Sequence, residues 1–287
     1  APPGVWLDNM PSWELGVLEE SRRLALALPQ MAGGDSAALV EAREALLGDD
    51  RDWLYPSTEQ RLEEAVAALD RKLAALDDPE AGFPPGAGLG SWLASVAEGL
   101  DDLALRLAAS VGGHEALTEL AVDTESLPPP TPWYRVDNIF FEARGSGWAL
   151  AQLLEGVQRD QADVLDEAGV RGEWERLLAE LEMTQRRLWS PVVLNGSGFG
   201  VFANHSLVMA LHMTRARDLA ASLAERLAEP PAALAAPAEI TETQPGEALL
   251  EDSVEPSEPV EPPVEAVERL EEEVVEPPPE ALAAPEA

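Results

Sequence analysis

Val136-Asp137-Asn138-Ile139-Phe140-Phe141-Glu142-Ala143-Arg144-Gly145-Ser146-Gly147-Trp148-Ala149-Leu150-Ala151-Gln152-Leu153-Leu154-Glu155-Gly156-Val157 places apolar or small side chains at 136, 140, 143, 147, 150, 154 and 157. Steps of four and three put these positions on one face of a helix. Upstream, Thr131 can cap that helix, and Pro132 suits its first position because a missing N–H costs nothing there. The spacing predicts a helix from Thr131. Within it, Gly145-Ser146-Gly147 offers so little bulk that another backbone can come close.

The same period continues on both sides. Ser57, with Gln60 three residues on, forms a capping box. The stripe that follows is Leu62, Val66, Leu69, Leu73 and Leu76, expected to pack against other helices. Leu93, Val96, Leu100, Leu103 and Leu107 repeat the pattern. Trp174, Leu177, Leu181 and Leu188 carry another seam, with polar Thr184 in the slot between. Further helices are expected near Ser12–Leu28 and Asp35–Leu47, and from Phe202 to Glu229, where Pro230-Pro231 ends the run. Breaks fall at Pro29–Asp35, Gly48–Pro56, Asp78–Gly90 and Asn195–Gly200. Only Pro191-Val192-Val193-Leu194 has strand character. The pattern predicts an all-α, multi-helix antiparallel bundle of roughly six or seven helices.

Composition divides the chain. Of 287 residues, 54 are acidic and 19 basic, the formal charge is -35, and there is no cysteine. Residues 229–287 hold 17 of the acids and 12 of the 25 prolines, with Arg269 as their one base and no aromatic residue. Such a segment cannot bury enough apolar surface to offset the entropy of ordering, so a disordered acidic Pro-rich tail is expected. Leu127-Pro128-Pro129-Pro130-Thr131-Pro132 cannot be helical throughout. The expected organisation is an N-terminal helical half (1–122), a Pro-rich connection (123–132), a C-terminal helical half (133–228) and the tail (229–287).

The acidic excess argues against nucleic acid, whose phosphates it repels, and against anionic lipid bound through a basic patch. It also fits a saline medium, where screening over ~3 Å at 1 M salt relieves self-repulsion. No run approaches the roughly 20 apolar residues of a membrane span. Without cysteine there is no disulfide and no thiolate metal site.

Candidate chemistry gathers late in the chain. Asn195-Gly196-Ser197-Gly198-Phe199-Gly200 frees the backbone for close approach, and a helix follows whose first N–H groups could hold an anion. No Lys follows it, so it is not a phosphate-binding P-loop. Asn204, His205 and His212 come next. The two histidines lie two turns apart, about 10–11 Å, too far to share a metal ion. Neither a metal nor a cofactor is expected. Asp137 and Arg144 are expected to pin helices through ion pairs, and Glu142 could act as a general acid if buried. Ser146 and Ser197 have no nucleophile context. The eight tryptophans are expected chiefly in the core.

Three stretches carry a resemblance. They are Pro2-Pro3-Gly4-Val5-Trp6-Leu7-Asp8-Asn9-Met10-Pro11, Trp133 through Gly145 with Trp148-Ala149-Leu150, and Trp189-Ser190-Pro191 through Ala210. In these the chain resembles the bacterial family called Domain of Unknown Function 2333. The resemblance implies a single-span inner-membrane protein of Gram-negative bacteria, with its helical part on the periplasmic side. This chain, which lacks the span, is then expected to be the soluble part of a longer protein. The resemblance assigns no catalytic residues.

Two functional readings follow. One is a non-enzymatic, membrane-tethered envelope protein whose periplasmic helical module binds other envelope proteins. The other is a small-ligand-binding or hydrolytic domain with its site at Arg144, Asn195, Gly196, Ser197, Gly198, Gly200, Asn204 and His205.

Overall fold

Residues 9–48, 57–76, 82–111, 127–187 and 204–228 are described by a computed structural model. Among them are eight α-helices: α1 (Asn9–Met31), α2 (Ala37–Leu46), α3 (Thr58–Ala75), α4 (Leu89–Ala108), α5 (Val136–Asp160), α6 (Ala162–Glu167), α7 (Arg171–Thr184) and α8 (His205–Arg226). No β-strand occurs among the described residues. The all-α bundle is thus present. The strand-like Pro191–Leu194, the glycine loop 195–200 and the acidic tail lie outside the described residues.

The core is assembled from the seams of α4, α5, α7 and α8. Leu93, Val96, Leu100, Leu103 and Leu107 of α4 are all buried, as are Phe140, Leu150 and Leu154 of α5 and Trp174, Leu177 and Leu181 of α7. Each such side chain contributes about 1.5–3 kcal/mol relative to exposure. Trp174 also satisfies its indole N–H, which donates to the Leu154 carbonyl at 3.2 Å. α4 and α8 run antiparallel. The start of α4 at Gly90 abuts the backbone of Leu227, and Val111 past its other end clusters with Leu207.

α1 crosses α5 at backbone contact. A Cβ on Gly16 would overlap the Glu142 carbonyl oxygen, and one on Gly145 would overlap that of Trp13. Ser146 Oγ donates to the Gly16 carbonyl at 3.3 Å across the same contact. The Gly145-Ser146-Gly147 stretch is therefore the close approach its small size predicts. Gly147 faces the other way, against Thr184 of α7. From this crossing α1 and α5 run in the same direction, and Leu28 and Val157 line one apolar cleft further along.

α3 starts at the expected capping box. Gln60 N–H donates to Ser57 Oγ, and Gln60 Oε1 accepts from the Ser57 N–H. Its leucine stripe, however, packs inward only in part, with Leu69 and Leu76 half-buried. Leu62, Val66 and Leu73 are 38%, 58% and 65% exposed, while Ala65 and Ala68 are buried. α3 packs chiefly on α2, and the small alanine side chains let the two helices approach closely.

Other expectations are corrected too. α5 starts at Val136 rather than Thr131. Thr131 precedes a proline and is biased to extended backbone; Pro132 itself is extended (ψ 138°), and the chain first turns through a 3₁₀ segment, Trp133–Arg135. Thr131 instead donates its N–H to the Ala109 carbonyl at 3.2 Å. α1 continues through Pro29 to Met31. The short α6 was not expected; it closes with Gly169 at φ 64° and buries Val164, Leu165 and Val170. Trp92 and Trp174 are core residues, but Trp133 is 81% exposed and Trp148 41%.

The α1–α5 contact makes a paired prediction. Gly145→Ala should lower stability by about 1–3 kcal/mol, because two backbones must part to admit the methyl group. Gly156→Ala on the same helix has no atom within 4 Å of the new Cβ. It should be neutral or stabilising by about 0.5–1 kcal/mol. Urea unfolding of both variants checks this, and equal effects would contradict it.

Candidate functional site

Arg144, Asn204 and His205 are all placed around the front half of α5. Arg144 Nη2 donates to the Gln185 carbonyl at 2.7 Å. Gln185 Nε2 in return donates to the Arg144 carbonyl at 2.9 Å and to Thr184 Oγ1 at 2.7 Å. Gln185 is the C-cap of α7. The guanidinium thus meets a carbonyl left without a helical partner, at the negative end of the helix dipole. Burial lowers the Arg144 pKa from its ordinary value. The expected ion pair of Arg144 is therefore replaced by a bond to backbone, and among the described residues Arg144 has no carboxylate partner. Asp137 Oδ1 accepts from the Asn138 N–H at 3.1 Å.

Asn204 caps α8, its Oδ1 accepting from the Leu207 N–H at 2.9 Å. His205 lies beside Phe140 of α5, with ring centroids 6.4 Å apart. Burial lowers its pKa and so favours the neutral imidazole. Phe140 and Arg144 are one turn apart on α5. Both ends of the segment carrying Asn195, Gly196, Ser197, Gly198 and Gly200 thus sit on one stretch of that helix, while those five residues lie outside the described ones. His212 faces α7, with Nδ1 2.7 Å from Glu180 Oε2.

A second polar cluster forms where α1, α4 and α5 meet. Glu20 is only 1% exposed. Its carboxylate accepts from Arg23 Nε at 3.1 Å, and Arg23 Nη1 reaches the Ser95 carbonyl at 2.8 Å. Burial pushes the Glu20 pKa up to about 7, against the opposing pull of Arg23. Nearby, Arg106 holds Glu142 by two bonds, 2.9 and 2.5 Å, and Asp102 by a third at 2.8 Å. Burial works to lower the Arg106 pKa, but the bonds and charges of Glu142 and Asp102 together outweigh it and the net shift is upward. A cleft of about 380 Å³ opens beside these groups, lined by five carboxylates and two guanidiniums. Glu142 is therefore half of an ion pair joining α4 to α5, and its two oxygens are both engaged. No group of three or more metal-ligating side chains able to hold an ion occurs among the described residues.

The third feature is the outward stripe of α3. Leu62, Val66 and Leu73 are exposed and Leu69 and Leu76 half-buried on a helix that packs chiefly on α2, and Glu59, Glu63 and Asp70 beside them are exposed as well.

Residues 1–229 match the family described as an uncharacterized protein conserved in bacteria (DUF2333). The chain belongs to the DUF2333 family. No curated protein and no solved structure matches it. The DUF2333 match takes in every described helix, the Arg144 junction, the Glu20 cluster and α3, and it stops where the acidic tail begins.

Glu20 was not expected as a site residue, because it sits in an ordinary polar run, Glu19-Glu20-Ser21. Only its register marks it. Glu20 is four residues after Gly16, on the face that meets α5.

Glu20 gives a pH prediction. In the unfolded chain it titrates near 4.5, and in the folded one at about 7. Between these values the folded state keeps a proton that the unfolded state has released, so this group's contribution to stability falls as pH rises. Glu20→Gln cannot ionise. From pH 5 to pH 8 it should gain about 2 kcal/mol relative to the wild-type chain in urea unfolding. Parallel pH profiles would contradict the assignment.

Proposed function

We propose that this DUF2333 protein is a non-enzymatic helical module of the bacterial envelope. It is tethered to the inner membrane and binds other proteins on the periplasmic side. The observation that carries the reading is the α3 face: leucines and valine turned to solvent while alanines are buried. Single exposed apolar residues are ordinary, but an aligned stripe marks a surface built to be covered. The envelope location rests on the family resemblance. No described helix is long and apolar enough to cross a membrane, so the proposed tether is a segment outside them.

The competing reading is a small-ligand or hydrolytic site at Arg144, Asn195–Gly200 and His205. The charged cleft beside Glu20 does not belong to it, since none of Arg144, Asn204 and His205 lines that cleft. Against it, the Arg144 guanidinium is bonded to a backbone carbonyl and Glu142 is held by Arg106, so the polar groups in view hold helices together.

Two measurements check the favoured reading. Because Leu73 is mostly exposed, Leu73→Gln should alter stability by less than about 0.5 kcal/mol. In cells, a photo-crosslinking residue at Val66 should give a discrete membrane-fraction adduct that the same residue at Glu64, on the far side of α3, does not. Identical adduct patterns at both positions, or none at Val66, would remove the reading.

A further inference from the structure

The α3 face carries information about what covers it, and this inference rests on the protein-binding reading above. Leu62, Val66, Leu69, Leu73 and Leu76 follow spacings of 4, 3, 4 and 3. They extend over about 21 Å at 1.5 Å per residue. That is the seam of a two-heptad coiled coil, a surface whose complement is another helix inserting side chains into its holes.

The flanks of the stripe differ. At about 100° per residue, Glu59, Glu63 and Asp70 all project to one side of the seam, and all three are exposed. The other side, with buried Ala65 and Ala68, faces α2. The cations of α3 are turned to this chain's own residues. Arg71 bonds Glu41 of α2, Lys72 lies 5.4 Å from the Phe83 ring centroid, and Arg61 lies against Gly48. Among the described residues, the edge of the seam away from α2 is thus a row of carboxylates.

We propose that α3 seats one amphipathic helix of a different protein, with an apolar 4–3 stripe and Lys or Arg along the edge that meets Glu59, Glu63 and Asp70. A second copy of this chain is the wrong occupant. It would bring another acidic row and another formal charge of -35 to the same seam. The chain's own residues 229–287 fail likewise, with 17 acids against one base. Opposite charge along a seam selects partners, and like charge rejects them.

The test uses the full chain and synthetic helical probes read by fluorescence anisotropy. One peptide has leucines at the 4–3 positions and lysines along the edges. A second has glutamates at the edges, a third is residues 58–76 of this chain, and a fourth scrambles the lysine peptide. The lysine-edged peptide should bind at least about tenfold more tightly than the other three. It should lose that advantage in the Leu73→Gln variant. In a Glu59→Lys/Glu63→Lys/Asp70→Lys variant, the glutamate-edged peptide should become the preferred one.

Equal binding of the scrambled peptide would reduce the effect to bulk charge and overturn the proposal. Preferred binding of residues 58–76, with self-association that Val66→Glu abolishes, would overturn it in favour of a second copy. If no peptide is preferred but the Val66 adduct persists in cells, the partner class is wrong while the protein-binding reading stands. If that adduct is also absent, both fail.

Discussion

The fold depends on two helices touching through their backbones. Gly16 and Gly145 leave no room for a side chain between α1 and α5. Ser146 uses that proximity to donate to the Gly16 carbonyl. Such a contact sacrifices helix propensity at both glycines, roughly 0.5–1 kcal/mol each relative to alanine. In exchange it fixes how deeply α1 sits. One turn beyond Gly16, that depth carries Glu20 out of water. Its carboxylate is retained there by Arg23, which also bonds to the Ser95 carbonyl of α4. Across the same junction, Arg106 and Glu142 join α4 to α5. The buried polar layer is thus a consequence of the glycine crossing.

On the other side of α5, Gly147 admits Thr184, and the Arg144–Gln185 exchange locks the end of α7. Within three residues, α5 meets α1 at Gly145 and Ser146 and α7 at Gly147. The α2–α3 hairpin is held differently. α3 buries two alanines and leaves Leu62, Val66 and Leu73 outside. A helix held this way takes little from the core and is free to give its apolar face to something else. The division between a tightly crossed core and a lightly attached hairpin underlies the functional reading.

Much of this was legible in the sequence, for reasons that differ from element to element. The α4 stripe reads directly because its period of three and four is matched by complete burial. The Ser57–Gln60 box reads because capping is local chemistry. Gly145-Ser146-Gly147 announced a close approach, although not the identity of the approaching helix. The α3 stripe shows the limit of periodicity: the pattern says that a face is apolar, not which surface covers it. Glu20 was hidden because its burial comes from a crossing 126 residues away in sequence, between Gly16 and Glu142. Arg144 was matched to the wrong kind of acceptor, since a carbonyl at a helix end has no sequence signature. The start of α5 falls later than the Thr131 capping pattern predicts because the proline run keeps the chain extended through Pro132.

Hydrogen exchange of the isolated chain, resolved by peptide mass spectrometry, tests the central division most directly. Amides of α4 and of α5 around Gly145 should exchange slowest and together, through global opening, while those of α3 should exchange far faster. Slow exchange of α3 at the rate of α4 would mean that its leucine face is already covered within the chain, and would contradict the account.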